Sequence, residues 1–276
     1  MAAPVSFVDV SPAGRPAFTV AYERKGAGAP LVLLHGIGHH LQAWRPVSDL
    51  LAASHEVIAL DLPGFGASPA LPPGVAYDLG SVAPLLTATF AALGLDRPHI
   101  AGNSLGGLLA LELGRGRHVR SVTALSPAGF WTQAERRYAF GVLRGMRAGA
   151  KALPPPAVGL LARSAVGRAS LTSTIYAHPG RRSASAVVAE TEALRGAAGF
   201  APTLAAGRAV LFTDDVPDVP VTIAWGSRDR LLPRRQGVRA KHAIPGARLV
   251  RLPGCGHVPM NDEPALVARV ILDTAR

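Results

Sequence analysis

Residues 99–107 read His-Ile-Ala-Gly-Asn-Ser-Leu-Gly-Gly, an apolar run followed by a serine between glycines. A sharp strand-to-helix turn can hold a serine hydroxyl exposed above the edge of a sheet. Such a turn needs glycine on both sides, because a side chain there would clash. A hydroxyl is a poor nucleophile until a neighbouring base takes its proton. Gly102 and Gly106 flank Ser104 in this way, so the stretch predicts a nucleophile at Ser104, provided that a base and an acid lie nearby.

Short apolar strands alternate with helical patterns on both sides of this turn. The predicted strands are Val5–Val10, Ala17–Glu23, Leu31–Leu34, Val57–Leu60, His99–Gly102, Val119–Leu125, Val219–Trp225 and Arg248–Leu252. The predicted helices between them are Leu41–Ala53, Asp78–Leu93, Leu105–Leu113, Pro233–His242 and Pro264–Thr274. Strands that alternate with helices at short intervals indicate an α/β fold with a mostly parallel sheet.

The alternation stops between about Phe130 and Arg208, where no convincing strand is found. Helical stretches such as Ala134–Arg147 and Ala184–Leu194 predict a helical insertion on the sheet. This part of the chain also holds most of the net charge of +11. Its arginines could attract an acidic substrate, an acyl-carrier protein or an anionic membrane surface, or could form a solvated, arginine-rich surface; they include Arg136, Arg137, Arg144, Arg147, Arg181 and Arg182.

The composition of the 276 residues excludes several classes of protein. Apolar residues make up 49% and charged residues 17%, which excludes a disordered chain. The single cysteine, Cys255, excludes a disulfide scaffold. No apolar run approaches the roughly 20 residues that span a bilayer, and 5% aromatic residues without a recognition motif argue against a nucleic-acid partner. The stretch MAAPVSFVDV has no basic region and carries Asp9, so we expect no secretory signal and a cytoplasmic protein.

Acid and base candidates follow the last two predicted strands. Asp229 lies in Trp-Gly-Ser-Arg-Asp (225–229) and His257 in Pro-Gly-Cys-Gly-His (253–257). The order serine, aspartate, histidine is typical of a triad in which histidine takes the serine proton and aspartate orients the imidazole. Alternatively, Asp229 is a turn residue or helix cap and His257 a loop histidine. Cys255 is predicted to pack behind His257, and no cofactor motif or metal-ligand spacing is present.

A negatively charged tetrahedral intermediate needs backbone N–H donors. The amide of Leu105 follows the nucleophile at a helix N-terminus, and the amide of Ile37 lies in the open loop His-Gly-Ile-Gly (35–38). The same loop could instead be only a tight strand exit that His35 packs. The histidines at 35, 39 and 40 precede the nucleophile and are not expected to be the base.

The chain resembles the α/β-hydrolase-fold family in five stretches, which follow one another in the order typical of that family. These stretches are Leu31–Gly38, Asp61–Ser68, Gly102–Gly107, Gly226–Asp229 and Gly254–Pro264. The resemblance implies an eight-stranded, mostly parallel sheet with helices on both faces. It implies a core formed by residues 1–129 and 209–276, with a helical cap over 130–208 inserted after the sixth strand. It also implies that Ser104 is the nucleophile, Asp229 the acid and His257 the base, with Ile37 and Leu105 as oxyanion-hole donors.

Serine at position 104 separates the chain from the dehalogenase and epoxide-hydrolase branches, which resemble it but carry aspartate there. Gly-Asn-Ser-Leu-Gly-Gly (102–107) resembles the nucleophile context of the carbon–carbon bond hydrolases of aromatic breakdown. The chain lacks their longer glycine-rich oxyanion loop and has Val258 where a tryptophan commonly follows the base histidine.

Three functions therefore follow as expectations. The first is a serine hydrolase of a small carboxylic ester, thioester or lactone, with a small-molecule acyl substrate and without a cofactor. The others are a carbon–carbon bond hydrolase of a vinylogous diketone and a non-catalytic binding protein on the same fold. Four aromatic residues near the start of the insertion either line the acyl pocket or pack its core: Phe130, Trp131, Tyr138 and Phe140. A homo-oligomer is compatible with the sequence.

Overall fold

The computed structural model describes residues 4–12 and 14–276. The expectation of no secretory signal concerns residues 1–10, and of these residues 1–3 lie outside the described part of the chain. No helix within the described part is long and apolar enough to cross a bilayer.

A single sheet of eight strands forms the centre of the fold. Its strands are β1 Ser6–Val10, β2 Phe18–Lys25, β3 Ala29–Leu34, β4 His55–Leu60, β5 His99–Asn103, β6 Ser121–Leu125, β7 Val221–Gly226 and β8 Arg248–Leu252. They lie in the order β1-β2-β4-β3-β5-β6-β7-β8. The β1–β2 and β2–β4 pairs are antiparallel and the other five pairs are parallel. The predicted α/β fold with a mostly parallel, eight-stranded sheet is therefore confirmed.

Helices cover both faces of the sheet, because the inner strands are apolar on both sides. In β3, Leu31 and Leu33 belong to one buried cluster, whereas Val32 and Leu34 belong to the other. The first cluster includes side chains of α1 Arg45–Ala52 and α10 Pro264–Thr274. The second includes side chains of α2 Leu79–Ala92, α3 Leu105–Arg115 and α9 Arg235–Ala243. The predicted helix Leu41–Ala53 is divided, since Leu41–Trp44 forms a 3₁₀ turn before α1.

Five helices and no strand lie between β6 and β7 in the structure. They are α4 Gln133–Ala152, α5 Pro155–Ala162, α6 Ala165–Thr172, α7 Ala184–Gly196 and α8 Phe200–Ala206. We call this group of helices the helical insertion. The sequence predicts α4 and α7 but not the three shorter helices. The division of the chain into a core and a cap over 130–208 stays a prediction.

Local sequence explains where two of the three unpredicted helices, α5 and α6, begin. The three prolines at 154–156 start α5, since proline fits the first turn of a helix, where no intrahelical bond needs its missing N–H. Before α6, the hydroxyl of Ser164 accepts a hydrogen bond from the backbone N–H of Gly167 at 3.0 Å. Such short helices offer too little periodicity to be recognised in a sequence.

The carboxyl ends of the parallel strands meet at one edge of the sheet. Leu34 of β3 pairs with Gly102 of β5, and Leu125 of β6 pairs with Ala224 of β7. Loops that follow these strands therefore emerge side by side. In open α/β sheets this edge is where ligands bind.

The turn from β5 to α3 depends on two close backbone approaches. A Cβ atom at Gly102 would lie 2.1 Å from the carbonyl oxygen of Gly106, and a Cβ atom at Gly106 would lie 2.1 Å from that of Leu34. Real Cβ atoms do not approach backbone so closely, so the first turn of α3 can pack against β5 and β3 only where glycine stands.

We predict that Gly102→Ala lowers the free energy of unfolding by roughly 3 kcal/mol, because the added methyl group forces α3 away from the sheet. The matched control is Gly145→Ala in α4, where no atom lies within 4 Å of the added Cβ. Alanine is the better helix former, so this control should raise stability by about 0.5–1 kcal/mol. Urea unfolding measures both; equal stability of the two variants would contradict the prediction.

Candidate active site

Asp229 and His257 meet above the ends of β7 and β8. His257 Nδ1 and Asp229 Oδ2 are 2.8 Å apart. The other carboxylate oxygen of Asp229 accepts the backbone N–H groups of Leu231 and Leu232 at 2.9 and 2.8 Å. The carboxylate side chain is fully buried and the imidazole nearly so. Because a carboxylate accepts, His257 donates from Nδ1, and its Nε2 is left to accept a proton.

His257 and Ser104 line the same cavity. Nε2 is buried and has no hydrogen-bond partner among the described residues. The structure thus brings the three predicted residues to one edge of the sheet, with Ser104 and His257 on a shared cavity. In the free state of such sites the contact between hydroxyl and base is often loose and tightens with substrate.

Ser104 has an unusual backbone conformation, with φ 57° and ψ −112°. A non-glycine residue with positive φ is strained and persists only where its surroundings hold it. Its N–H donates to the carbonyl of Leu125 at 3.0 Å, and its carbonyl accepts from Leu108 at 3.0 Å and Ala128 at 3.1 Å. These three bonds fix the turn and leave the side chain at the cavity.

Asn103 has a positioning role that sequence analysis missed. Its buried side-chain amide donates to the carbonyl of His257 at 2.8 Å and to that of Leu125 at 3.1 Å. The loop that carries the imidazole is therefore tied to the strand that carries Ser104. The only signal in the sequence is its place beside the serine, which does not reveal a partner 154 residues away.

Ile37 and Leu105 both line a cavity with Ser104. Neither N–H donates a backbone or side-chain hydrogen bond within residues 4–12 and 14–276. Gly36 lets this loop approach closely, since a Cβ there would lie 3.2 Å from that of Ser104. The two amides are thus available to an anion at the serine.

His35 holds the loop that carries Ile37. It is completely buried; its Nε2 accepts the N–H of Leu62 at 3.0 Å, so its Nδ1 donates to the carbonyl of Gly36 at 2.7 Å. Burial lowers the pKa of His35 to about 4, so its ring is neutral near pH 7. Asp61 stabilises its own turn by accepting the N–H of Ala67 at 2.8 Å.

Asp262 joins the helical insertion to the loop of His257, and sequence analysis did not identify it. Its buried carboxylate accepts N–H groups of Ala177 at 3.0 Å, His178 at 2.9 Å and Gly256 at 2.7 Å. The N–H of Val258 also donates to the carbonyl of Ile175 at 3.1 Å. Both residues that flank His257 are therefore held by the segment after α6.

Cys255 is buried, as expected for a residue that packs behind His257. Burial raises the pKa of its thiol to about 12, so the thiol stays protonated and is a poor nucleophile. Within the described ranges, no three His, Cys, Asp or Glu side chains are grouped so that they could hold a metal ion.

Two cavities open from Ser104. The first, of about 60 Å³, has mostly apolar walls that include Leu105, Leu108, Trp131, Phe140, Leu143 and Leu204. The second, of about 70 Å³, has more polar walls that include His39, Thr172, Glu190, Thr191 and His257. We call them the apolar arm and the polar arm.

Of the four aromatic residues proposed for the acyl pocket, Trp131 and Phe140 line the apolar arm. Phe130 does not line it and packs in the core, with its ring centroid 5.6 Å from that of Phe212. Tyr138 is half exposed, and its hydroxyl donates to the carbonyl of Arg230 at 3.0 Å. Phe130 and Trp131 precede α4, whereas Tyr138 and Phe140 lie within it and point to different sides of the helix, so only part of the aromatic group reaches the cavity.

The basic residues of the helical insertion do not form one cluster. Arg182 is paired with Glu190, and Arg195 with Glu192. Glu135, the third acidic residue of residues 131–210, pairs with Arg235 and Arg239. Arg144, Arg147, Lys151 and Arg208 share an outer groove between α4 and α8.

The chain is similar in sequence and in fold to known hydrolases. A family model described as alpha/beta hydrolase fold matches residues 29–264. The pimeloyl-[acyl-carrier protein] methyl ester esterase of Aromatoleum aromaticum is 32% identical over 264 residues, which cover 89% of this chain and 98% of that protein. A solved bacterial membrane phospholipase A has a TM-score of 0.75 and 26% identity, covering 99% of this chain and 87% of that one. The solved structure of a thermophilic esterase from Thermogutta terrifontis matches this chain with a TM-score of 0.75 and 20% sequence identity. The match covers 98% of this chain and 97% of the esterase chain.

We predict that His35 contributes to acid sensitivity. Its folded pKa of about 4 lies below the value of about 6.5 in an unfolded chain, so the unfolded state binds more protons between these values. Stability is therefore lost as pH falls from about 6.5 to 4, by about 3 kcal/mol over that window. Urea unfolding across this range should show a shallower slope for His35→Gln. The exposed His118→Gln control should keep the wild-type slope, and equal slopes for both variants would refute the role of His35.

We also predict that Asp262→Asn lowers the free energy of unfolding by roughly 2 kcal/mol, because an amide nitrogen replaces one of two charged acceptor oxygens. Asp214→Asn is the control, since the Asp214 side chain is 63% exposed and should change stability by less than about 0.5 kcal/mol. Thermal unfolding measures the stability of both variants. If Asp262→Asn loses no more stability than Asp214→Asn, the carboxylate of Asp262 does not anchor the His257 loop.

Proposed function

Because the chain belongs to the alpha/beta hydrolase fold family and is a hydrolase, we propose that it is a serine hydrolase that cleaves a small carboxylic ester, thioester or lactone. In this proposal Ser104 is the nucleophile, His257 the general base and Asp229 the acid that orients it. The amides of Ile37 and Leu105 form the oxyanion hole. Residues 130–208 act as a helical cap over the site.

One observation carries the proposal: a buried carboxylate is bonded to Nδ1 of an imidazole whose Nε2 has no partner among the described residues, and this histidine and Ser104 line the same cavity. A structural histidine usually has both nitrogens satisfied, as His35 does. A buried ring that keeps one acceptor open towards a serine is instead suited to take a proton. Asp229 stabilises the imidazolium that forms.

The first half of the reaction forms the acyl-enzyme. As the Oγ of Ser104 attacks the substrate carbonyl carbon, its proton passes to Nε2 of His257, and the carbonyl oxygen becomes negative. That oxygen is stabilised by the N–H groups of Ile37 and Leu105, the latter at the N-terminus of α3. When the tetrahedral intermediate collapses, the bond to the leaving group breaks and His257 gives its proton to that group.

The second half repeats these steps with water. His257 takes a proton from water, the resulting hydroxide attacks the acyl carbon, and the bond to Ser104 breaks with return of a proton to Oγ. The products are a carboxylic acid and an alcohol, a thiol or, from a lactone, a hydroxy acid. No cofactor is needed at any step.

Similarity to named esterases supports ester cleavage over the carbon–carbon alternative. The relative from Aromatoleum aromaticum is named a methyl ester esterase and matches along nearly its whole length. The cytoplasmic location and a homo-oligomeric state stay predictions from the sequence.

The decisive prediction concerns hydrolysis of p-nitrophenyl butyrate. Ser104→Ala and His257→Ala should each lower kcat/KM by about 10⁴-fold or more, and Asp229→Asn by a comparable amount, because these groups act as a unit. The protein should also be labelled covalently by a fluorophosphonate at one site, which intact mass measures. Ser126, which directly follows the neighbouring strand β6, provides the matched control.

Ser126→Ala should keep the label, and Ser104→Ala should lose it. Labelling that survives the loss of Ser104 would contradict the proposal. Turnover of a vinylogous diketone without any ester hydrolysis would favour the carbon–carbon hydrolase. Tight ligand binding without turnover of either substrate would favour a binding protein.

A further inference from the structure

We propose that the polar arm binds a hydroxyl group of the leaving alcohol, through Glu190 and His39. The preferred substrates would then be esters of a short apolar acid with a hydroxylated alcohol such as a small polyol. This inference rests on the proposed function and adds the class of substrate to it.

Besides Nε2 of His257, two further buried polar atoms on residues that line the polar arm have no partner among the residues that the structure describes. They are Oε2 of Glu190 and Nδ1 of His39, and both residues are more than nine-tenths buried. Leaving a buried polar group unpaired is costly. Two such atoms on a cavity that also holds Ser104 and His257 are therefore best explained by a ligand that pairs with them.

The rest of both side chains is anchored, which fixes the direction of the free atoms. Glu190 Oε1 is paired with Arg182, whose guanidinium lies 4.8 Å from the ring centroid of Tyr176. His39 Nε2 is hydrogen-bonded to the hydroxyl of Tyr176 at 3.1 Å. Tyr176 and Arg182 thus form a shared support, and the wall needs little reorganisation to receive a ligand.

The charges of this wall favour a neutral ligand. Arg182 neutralises Glu190, and burial lowers the pKa of His39 well below its usual range, so that its ring is neutral. An ammonium group would meet the charge of Arg182, and a carboxylate would meet Glu190. A single hydroxyl can donate its proton to Glu190 Oε2 and accept a hydrogen bond from the Nδ1–H of His39, whose Nε2 then accepts from the hydroxyl of Tyr176, so it satisfies both atoms.

The mechanism assigns the hydroxyl to the alcohol side of the ester. His257 must protonate the leaving group, and His257 lines the polar arm but not the apolar arm. The leaving alcohol therefore points into the polar arm. The acyl chain therefore occupies the apolar arm, where Leu105, Trp131 and Phe140 provide an apolar surface.

The test compares 2,3-dihydroxypropyl butyrate with propyl butyrate, which share a carbon skeleton and differ only in two hydroxyls. Binding of each ester to the Ser104→Ala protein is measured by calorimetry, because this protein cannot consume them. Turnover by the unmodified protein is measured in parallel. We expect the dihydroxypropyl ester to bind at least tenfold more tightly, as a hydrogen bond to a charged acceptor predicts.

Three changes, each combined with Ser104→Ala, locate the effect. Glu190→Gln puts an amide N–H₂ where the acceptor oxygen stood and should reduce the tenfold ratio to about two or less. Glu192→Gln, on the same helix but 42% exposed and off the cavity wall, should keep the ratio. If Glu190→Gln does not fold, Arg182→Met with Glu190→Met removes both charges together, which is better tolerated than one unpaired charge, and should abolish the preference.

The inference is overturned if the two esters bind the Ser104→Ala protein equally, or if Glu190→Gln keeps the full ratio. Its failure can be distinguished from failure of the proposed function. A tenfold binding preference without turnover of either ester would support the subsite and contradict the proposed hydrolase function. Turnover of both esters, together with equal affinity for them, would support the hydrolase function and contradict the subsite.

Discussion

The hydrogen bond between the buried carboxylate of Asp229 and Nδ1 of His257 is the interaction on which the rest of the site depends. A carboxylate without exposure to water needs several donors, and Asp229 has the imidazole and two backbone N–H groups. That arrangement fixes the tautomer of the imidazole and leaves Nε2 as a free acceptor on a residue that shares a cavity with Ser104. The proposed chemistry follows from this orientation, since only a ring with an open acceptor can take a proton from the serine.

The fold keeps this pair in place through contacts between elements that are distant in the chain. Asn103 connects the strand before the serine to the carbonyl of His257, and Asp262 connects the residues beside His257 to the helical insertion. The same insertion supplies walls of both cavities, with Phe140 in one and Glu190 in the other. Movement of the insertion would therefore change the cavity and the position of the imidazole together, which links substrate fit to the geometry of the reacting groups.

Much of this could be predicted from the sequence, because some requirements are local. Glycine at 102 and 106 and apolar strands at regular intervals predict the turn and the sheet, and the strands end where Ser104, Asp229 and His257 follow. Partnerships across the chain leave no such trace: nothing in the sequence joins Asn103 to His257 or Glu190 to His39. The short helices α5, α6 and α8 are not predicted, because seven or eight residues show too little periodicity. The sequence groups Phe130 and Tyr138 with two pocket residues because composition does not tell which side chains of α4, or of the loop before it, face a cavity.

The most direct test of the central claim is a crystal structure of the protein after reaction with diethyl p-nitrophenyl phosphate. We expect the phosphorus to be bonded to Oγ of Ser104, with its phosphoryl oxygen about 3 Å from the N–H groups of Ile37 and Leu105. His257 should lie beside the phosphorus with Nδ1 still bonded to Asp229. Phosphorylation of a residue other than Ser104 would contradict the convergence of Ser104, His257 and Asp229. An imidazole of His257 out of reach of Oγ of Ser104 would contradict it as well.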